Sequence, residues 1–394
     1  VCDVDQNIYS GRGADIKNIL QFEHHFPEAK IILLEENYRS TQTIIAASND
    51  IIEKNVNRPQ KTVFTKNHEG ELISLYAAMG AEEEAEHVAL TAKKLVAGGA
   101  RPSDIAVLFR TNFQSRALEE AFLNYGVPYQ MIGTRFFERA EVKDVLSFLR
   151  LSQNADSTGD LARIINVPVR GIGKITLLKI VEGRVSELPP KTREKVAAFY
   201  TLVDEIAEYA KKHPVHETLS FIMRHTGMET MYKEGGEEGL ERLENIRELV
   251  TLGTKYAAYE PLEAIEHLLE DTALGSDQDE IKDTEELDAV RLMTIHASKG
   301  LEFPYVFITG LEEGLFPHER LGEERTDSEE ERRLFYVALT RAQKKVFLSF
   351  AHIRTIFGTQ RVNTPSSFLS DIRSELIEQI NPQESGFERT VYLD

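Results

Sequence analysis

Ile73-Ser74-Leu75-Tyr76-Ala77, then residues 82–96, then Ile105-Ala106-Val107-Leu108-Phe109: a short apolar run, a stretch with helical spacing, and a second short apolar run. Five such residues make a strand, and the longer periodic stretch between them makes a helix. A strand that pairs parallel to its predecessor needs a crossover of a dozen residues or more, so this alternation predicts βαβ units around a parallel sheet. Upstream, Lys30-Ile31-Ile32-Leu33-Leu34 follows Pro27 and reads as a further buried strand, and residues 41–56 read as a helix. From about Glu138 to Leu287 helical periodicity takes over, without a convincing strand. The acidic stretch 274–286, which contains Gly and Ser, reads as an exposed connection. Strand-like runs return at residues 290–295, Tyr305-Val306-Phe307-Ile308 and Lys345-Val346-Phe347-Leu348-Ser349. The predicted fold class is therefore α/β: a discontinuous parallel-sheet domain with a large, mostly helical inserted subdomain. Gln379 to Asp394 is too weakly patterned to read as anything but a tail.

At 394 residues the chain is long enough for two or three compact units. Hydrophobic residues make up 41% and charged residues 28%, a globular balance. No apolar run approaches the ~20 residues that span a bilayer, so no membrane association is expected. The single cysteine, Cys2, excludes an intramolecular disulfide framework and Cys-rich metal sites, and fits a reducing cytoplasm. The net charge of -19 argues against a generic polyanion binder, yet the acid is concentrated in residues 277–288 and 312–331, which leaves other surfaces free to be basic. The first residues carry neither a starting methionine nor a secretion signal, and read as the middle of a longer protein.

Five stretches carry chemistry. Asp3-Val4-Asp5-Gln6-Asn7-Ile8-Tyr9, followed by Gly11-Arg12-Gly13-Ala14, is a polar cluster at an expected strand end, where ligands of α/β sheets sit. A glutamine there can bond a phosphate oxygen or orient a water without adding charge; taken alone, a surface turn is the favoured reading of the cluster. Leu34-Glu35-Glu36-Asn37-Tyr38-Arg39-Ser40 imitates an acidic strand end of a nucleotide-hydrolysing site, but the only Gly-Lys pair, Gly173-Lys174, is followed by Ile175, so the chain holds no phosphate-binding loop. Tyr38 and Arg39 suit base stacking and a phosphate contact in trans, or else an ordinary strand terminus. Residues 294–303, from Thr294 to Phe303, place His296, Gly300 and Glu302 in a loop between strands, with Glu302 able to accept from a ribose hydroxyl or to stand as a solvated acid. Residues 331–342 have helical spacing, with Arg341 near the helix end, where a cation complements the dipole. Gly171-Ile172-Gly173, inside the helical insert, resembles a helix-hairpin-helix turn, in which glycines let amides approach DNA phosphates, or a plain structural turn.

In order and wording these stretches resemble the UvrD/Rep/PcrA type of superfamily 1 DNA helicases over residues 1 to about 370. Residues 1–14 are similar to helicase motif III, 34–40 to motif IV, 290–303 to motif V and 330–342 to motif VI; Arg110-Thr111-Asn112-Phe113-Gln114-Ser115-Arg116 matches a further family segment. The resemblance implies an ATP-dependent enzyme that moves 3′ to 5′ on single-stranded DNA and unwinds duplex in repair or replication. It implies that Gln6, Arg39 and Arg341 are catalytic toward the γ-phosphate, that Tyr38 stacks on adenine, and that Gly300 and Glu302 complete the nucleotide contacts. It further implies a DNA path along Tyr9, Arg12, Arg110, Asn112, Thr294, His296 and Phe357, with Gly171, Ile172 and Gly173 on the duplex. Single-stranded DNA, single/double-strand junctions and repair or replication proteins are the implied partners, and ATP with Mg2+ the implied cofactor of the complete enzyme. The implied domains are a remnant of a first RecA-like domain (1–27), a second RecA-like domain in two parts (28–139 and 283–375), the inserted subdomain (140–282) and a tail (376–394). The phosphate-binding motifs would lie on the missing N-terminal RecA-like domain, so the chain alone is expected to be inactive and to bind no ATP tightly. The alternative is a DNA- or partner-binding module derived from such an enzyme. Cys2 and Gly11 depart from the family's glycine and tryptophan, and losing an indole from the path removes roughly 1–3 kcal/mol of base stacking.

Overall fold

A computed structural model of the chain describes residues 3–8, 25–26, 28, 30, 32–58, 61–277, 288–318, 328–356 and 359–380. The chain forms two compact units, Val1–Gly133 with Glu286–Arg354 and Val362–Asp394, and Thr134–Glu285 with Thr355–Arg361. The strands are β1 Ile73–Gly80, β2 Ile105–Phe109, β3 Tyr129–Met131, β4 Val290–Thr294, β5 Phe303–Ile308, β6 Ala342–Ile356, β7 Thr359–Val362 and β8 Ile377–Ile380. The α-helices are α1 Gln42–Ile52, α2 Ala81–Ala97, α3 Ser115–Asn124, α4 Ala140–Gln153, α5 Thr158–Ile164, α6 Lys174–Val181, α7 Pro190–Ala210, α8 Val215–His225, α9 Met228–Lys233, α10 Gly236–Gly253, α11 Pro261–Asp277, α12 Ser328–Leu339 and α13 Ser367–Asp371.

In the first unit the strand order is β3-β4-β2-β5-β6-β1-β8, with β7 beside β6. Each pair along that path is parallel. The central strand shows why the sequence folds this way. Every residue of β2 is buried, and its side chains alternate between two cores. Ile105, Val107 and Phe109 pack with Ala85, Val88 and Ala92 of α2 and Leu118 and Phe122 of α3. Ala106 and Leu108 pack with Ile44, Ala47 and Ile51 of α1 and Leu334, Phe335 and Ala338 of α12. A strand covered on both faces reads as a continuous apolar run, which is how it stands in the sequence. Arg354, on β6, is buried and paired with Glu84 of α2 and, at 2.7 Å, with Glu312. Removing either side of such a cluster would strand an uncompensated charge.

The second unit is helical. Val142, Val145 and Leu149 of α4, Phe199, Val203 and Ile206 of α7, Leu219 and Ile222 of α8, and Ile246 and Leu249 of α10 form one core. Their three- and four-residue spacing is the helical period that marks this region in the sequence. Beside it, Asn245 accepts from Arg139 at 2.8 Å and donates to Glu141 at 2.7 Å, so its buried amide is satisfied at both ends.

Three expectations need correction. The described residues of the run, Lys30 and Ile32 to Leu34, form no strand: Ile32, Leu33 and Leu34 are exposed, and the nearest ladder contact is a single bridge between Glu36 and Phe64. An apolar run becomes a strand only beside a hydrogen-bonding neighbour, and the edges of the sheet path are β3 and β8. β3 escapes a pattern search because it is three residues long. Residues 377–380, expected as tail, form β8 and pair with Ile73–Tyr76 of β1. Of the expected connection 274–286, residues 274–277 belong to α11, and 278–286 lie outside the described residues, as do 381–394.

Candidate functional site

In a parallel sheet all strand starts lie along one edge and all strand ends along the other. The candidate residues of the first unit divide between these edges. Glu302 and Arg341 immediately precede β5 and β6, at the starts. Arg110 and Asn112 follow β2, and Thr294 and His296 close and follow β4, at the ends. The eight residues 295–302 cross from one edge to the other, and α12, about 18 Å long at 1.5 Å per residue, runs alongside.

At the starting edge the side chains converge. Arg39 Nε pairs with Glu302, and Arg39 Nη1 donates to the Thr340 carbonyl at 3.1 Å. Gln343 donates to the second oxygen of Glu302 at 3.1 Å. The Arg39 hydrogen bond holds the Glu302 carboxyl below its usual range. Arg39 is aimed by its own turn: Asn37 Oδ1 accepts from the amides of Arg39 (2.8 Å) and Ser40 (2.9 Å), and Ser40 Oγ donates to the Ala342 carbonyl at 2.6 Å. Tyr38 is 79% exposed, so its ring is open to a stacking partner while Asn67 holds its carbonyl at 3.2 Å. Gly300 has φ +89, a conformation that a side chain at this position would strain.

Arg341 is 2% exposed. Its guanidinium donates to the carbonyls of Val337 (3.0 Å) and Leu301 (3.1 Å), to Thr340 Oγ1 (3.3 Å) and to Gln6 Oε1 (3.4 Å), all neutral acceptors. Among the described residues no carboxylate forms an ion pair with it. Burial, and then the charge of Arg39, push its pKa down to about 10, so it stays cationic at neutral pH. A buried, charged donor set without a carboxylate partner is suited to an anion.

Gln6 sits in a tight turn, Val4–Gln6, anchored by Ile8 in the core and by Arg333, which donates to the Asn7 carbonyl at 3.0 Å. Asp3 caps that turn, and Arg58 and Lys61 pair with Asp5 and Asp3 there. The motifs do not reach Arg58 and Lys61, which lie 53 and 58 residues from those partners, and no local signal joins them.

At the opposite edge Arg110 makes a bidentate pair with Glu331 of α12 at 2.7–3.0 Å. Burial raises the Glu331 carboxyl and Arg110 outweighs it, leaving the group below its usual range. Gln114 Oε1 accepts from the amides of Arg110 (3.0 Å) and Thr111 (2.9 Å), which fixes the turn that carries Asn112. Asn112, Thr294 and His296 are half-buried. In the helical unit Gly171 has φ +72, and Gly173 precedes α6. Ile172 is 2% exposed in the core, and its amide donates to Asn166 Oδ1 at 3.2 Å. Its side chain therefore anchors the turn. Val169 and Ile175 stand exposed around it. Tyr9, Arg12, Gly11, Cys2 and Phe357 lie outside the described residues. Among the described residues no group of three His, Cys, Asp or Glu could hold a metal ion, and no helix is long and apolar enough to cross a membrane.

The UvrD-like helicase C-terminal domain family model matches residues 32–352. The chain is 40% identical over 412 aligned positions to the ATP-dependent DNA helicase PcrA of Staphylococcus aureus strain Mu50, covering 99% of this chain and 56% of that protein. It is also 40% identical over 413 positions to PcrA of Staphylococcus epidermidis strain RP62A, covering 100% and 56%. The chain thus spans about half the length of the curated relatives it matches. Among solved structures, the C-terminal domain of a possible DNA helicase from Lactobacillus plantarum WCFS1 is similar at 12% identity and a TM-score of 0.36, covering 87% of this chain and 98% of that one; the assignment does not rest on it. With motifs in order, a two-sided parallel sheet and these relatives, the chain belongs to the UvrD-like helicase C-terminal domain family.

Proposed function

We propose that this chain supplies the trans side of the ATP site of a 3′ to 5′ DNA helicase, with Arg341 and Arg39 meeting the phosphates, Gln6 beside them, Tyr38 under the base and Gly300 and Glu302 at the ribose. The observation that carries the reading is the buried Arg341 guanidinium, held only by neutral acceptors. Removing a solvated cation from water is costly, and a site keeps one there where an anion repays the cost. ATP supplies the transferred phosphoryl group. The chain's part is to lend positive charge to it from the side opposite the phosphate cradle, as arginine fingers do.

The sequence contains no Gly-Lys-Ser/Thr loop, and the described residues hold no metal cluster. The phosphate cradle and Mg2+ then belong to a P-loop RecA-like domain outside this chain. In this reading residues 1–27 are a remnant of the first RecA-like domain, the rest of the sheet unit is the second, and the helical unit is its insert. Arg110, Asn112, Thr294 and His296 at the strand ends, with Tyr9, Arg12 and Phe357, face single-stranded DNA. Gly171 and Gly173 approach duplex at a junction. The protein works in the cytoplasm, in repair or replication.

The test is Arg341→Ala in the full-length protein. ATP hydrolysis stimulated by single-stranded DNA should lose on the order of 10³-fold in kcat. Unchanged turnover with intact DNA binding would instead favour a binding module without a role in catalysis.

A further inference from the structure

The two ends of the Gln6 amide are distinguished by their neighbours. Nε2 donates to Asp3 Oδ2 at 2.7 Å, and a carboxylate oxygen accepts. An amide turned the other way would set oxygen against oxygen there and NH2 against the Arg341 guanidinium. Both neighbours therefore select the same orientation, with Oε1 toward Arg341 at 3.4 Å.

Asp3 is itself held. Its Oδ1 accepts from Lys61 Nζ at 2.8 Å and from the Asp5 amide at 3.2 Å. Lys61 Nζ also stands 3.6 Å from Asp5, whose carboxylate is clamped by Arg58 through Nε at 2.9 Å and Nη2 at 2.8 Å. Arg58 Nη2 donates in addition to the Lys61 carbonyl at 3.0 Å, so the two cations are tied to one another as well as to the turn. Lys61 and Asp5 are both largely enclosed, and Asp3 is partly so, which keeps the linkage from being a loose surface pair. The segment that carries Arg58 and Lys61 follows α1 and matches none of the helicase motifs.

We propose that Lys61 is a positioning residue for ATP turnover: through Asp3 it fixes the Gln6 amide with its carbonyl oxygen toward Arg341 and the nucleotide side. The proposal rests on the reading of Gln6 and Arg341 given above. A carbonyl so presented accepts a hydrogen bond from a water, whereas an amide free to turn over would offer its NH2 as often.

The experiment is a kinetic cycle in the full-length protein. Lys61→Met should lower kcat for DNA-stimulated ATP hydrolysis about tenfold, with KM for ATP held within about twofold, and Lys61→Arg should restore most of the loss. On a Gln6→Ala background Lys61→Met should cost nothing further, since its effect passes through Gln6. A purely structural role would instead lower the thermal midpoint and add its full kinetic loss on either background. Should Lys61→Met fail to fold, Asp3→Asn, which removes the charge that orders Lys61, takes its place in the same cycle. Equal losses on both backgrounds, or an unchanged kcat, overturn the proposal. A slow Gln6→Ala with a normal Lys61→Met overturns the positioning role alone; a normal Gln6→Ala overturns the nucleotide-site reading with it.

Discussion

His87, on α2, stacks on Tyr76 of β1 with ring centroids 3.7 Å apart and is 7% exposed. Burial, and then the charge of Lys94, push its pKa down from 6.5 to about 4. The unfolded chain binds that proton first, so the stabilisation is complete above pH 6.5 and is lost as pH falls from there toward 4. The shift corresponds to about 3 kcal/mol over that window. His87→Phe, which keeps the stacked ring, should flatten the fall in unfolding free energy between pH 6.5 and 4, measured by denaturant titration; an unchanged slope would sink the argument. Residue identities in the motifs were legible in the sequence, and the environment of each was not. Nothing in the order of residues tells that Arg110 is paired with Glu331, or that Arg341 is buried without a carboxylate. A pKa depends on what lies within a few ångströms, and those neighbours come from distant parts of the chain.

Elements were legible where their period is long and clean. The α2 and β2 bounds come close to the sequence expectation because amphipathic spacing and a two-sided apolar run are strong signals. The run 30–34 and the short strands β3 and β8 were not, because pairing partners decide strand formation. Glycines in the helical unit make the same point testable. Ala normally outdoes Gly inside a helix by about 1 kcal/mol. In α10, however, a Cβ at Gly239 would stand 2.1 Å from the Tyr232 carbonyl oxygen, while in α5 a Cβ at Gly159 would meet nothing within 4 Å. Gly239→Ala should therefore destabilise by about 1–3 kcal/mol through overpacking. Gly159→Ala should stabilise by about 0.4–1 kcal/mol. Thermal unfolding of the two variants measures both, and a stabilised Gly239→Ala would contradict the contact.

At the scale of the whole molecule, Arg39, Glu302 and Arg341 gather where the strands of the sheet start, and Arg110, Asn112, Thr294 and His296 where they end, joined by residues 295–302 and α12. Without a phosphate-binding loop the chain should release no phosphate from ATP, with or without single-stranded DNA and Mg2+; turnover by the pure chain in a phosphate-release assay would refute the trans-site reading. By itself the sequence determined the α/β class, the helical insert, the absence of a Gly-Lys-Ser/Thr loop and the family, because periodicity and motif wording are local properties that survive in one dimension. Only the tertiary structure decided which residues meet: Asp3 with Lys61, Gln6 with Arg341, Arg39 with Glu302, Arg110 with Glu331, and Ile172 with the core. Those meetings depend on strand order and helix packing, which bring together positions up to more than 300 residues apart and which no local pattern encodes.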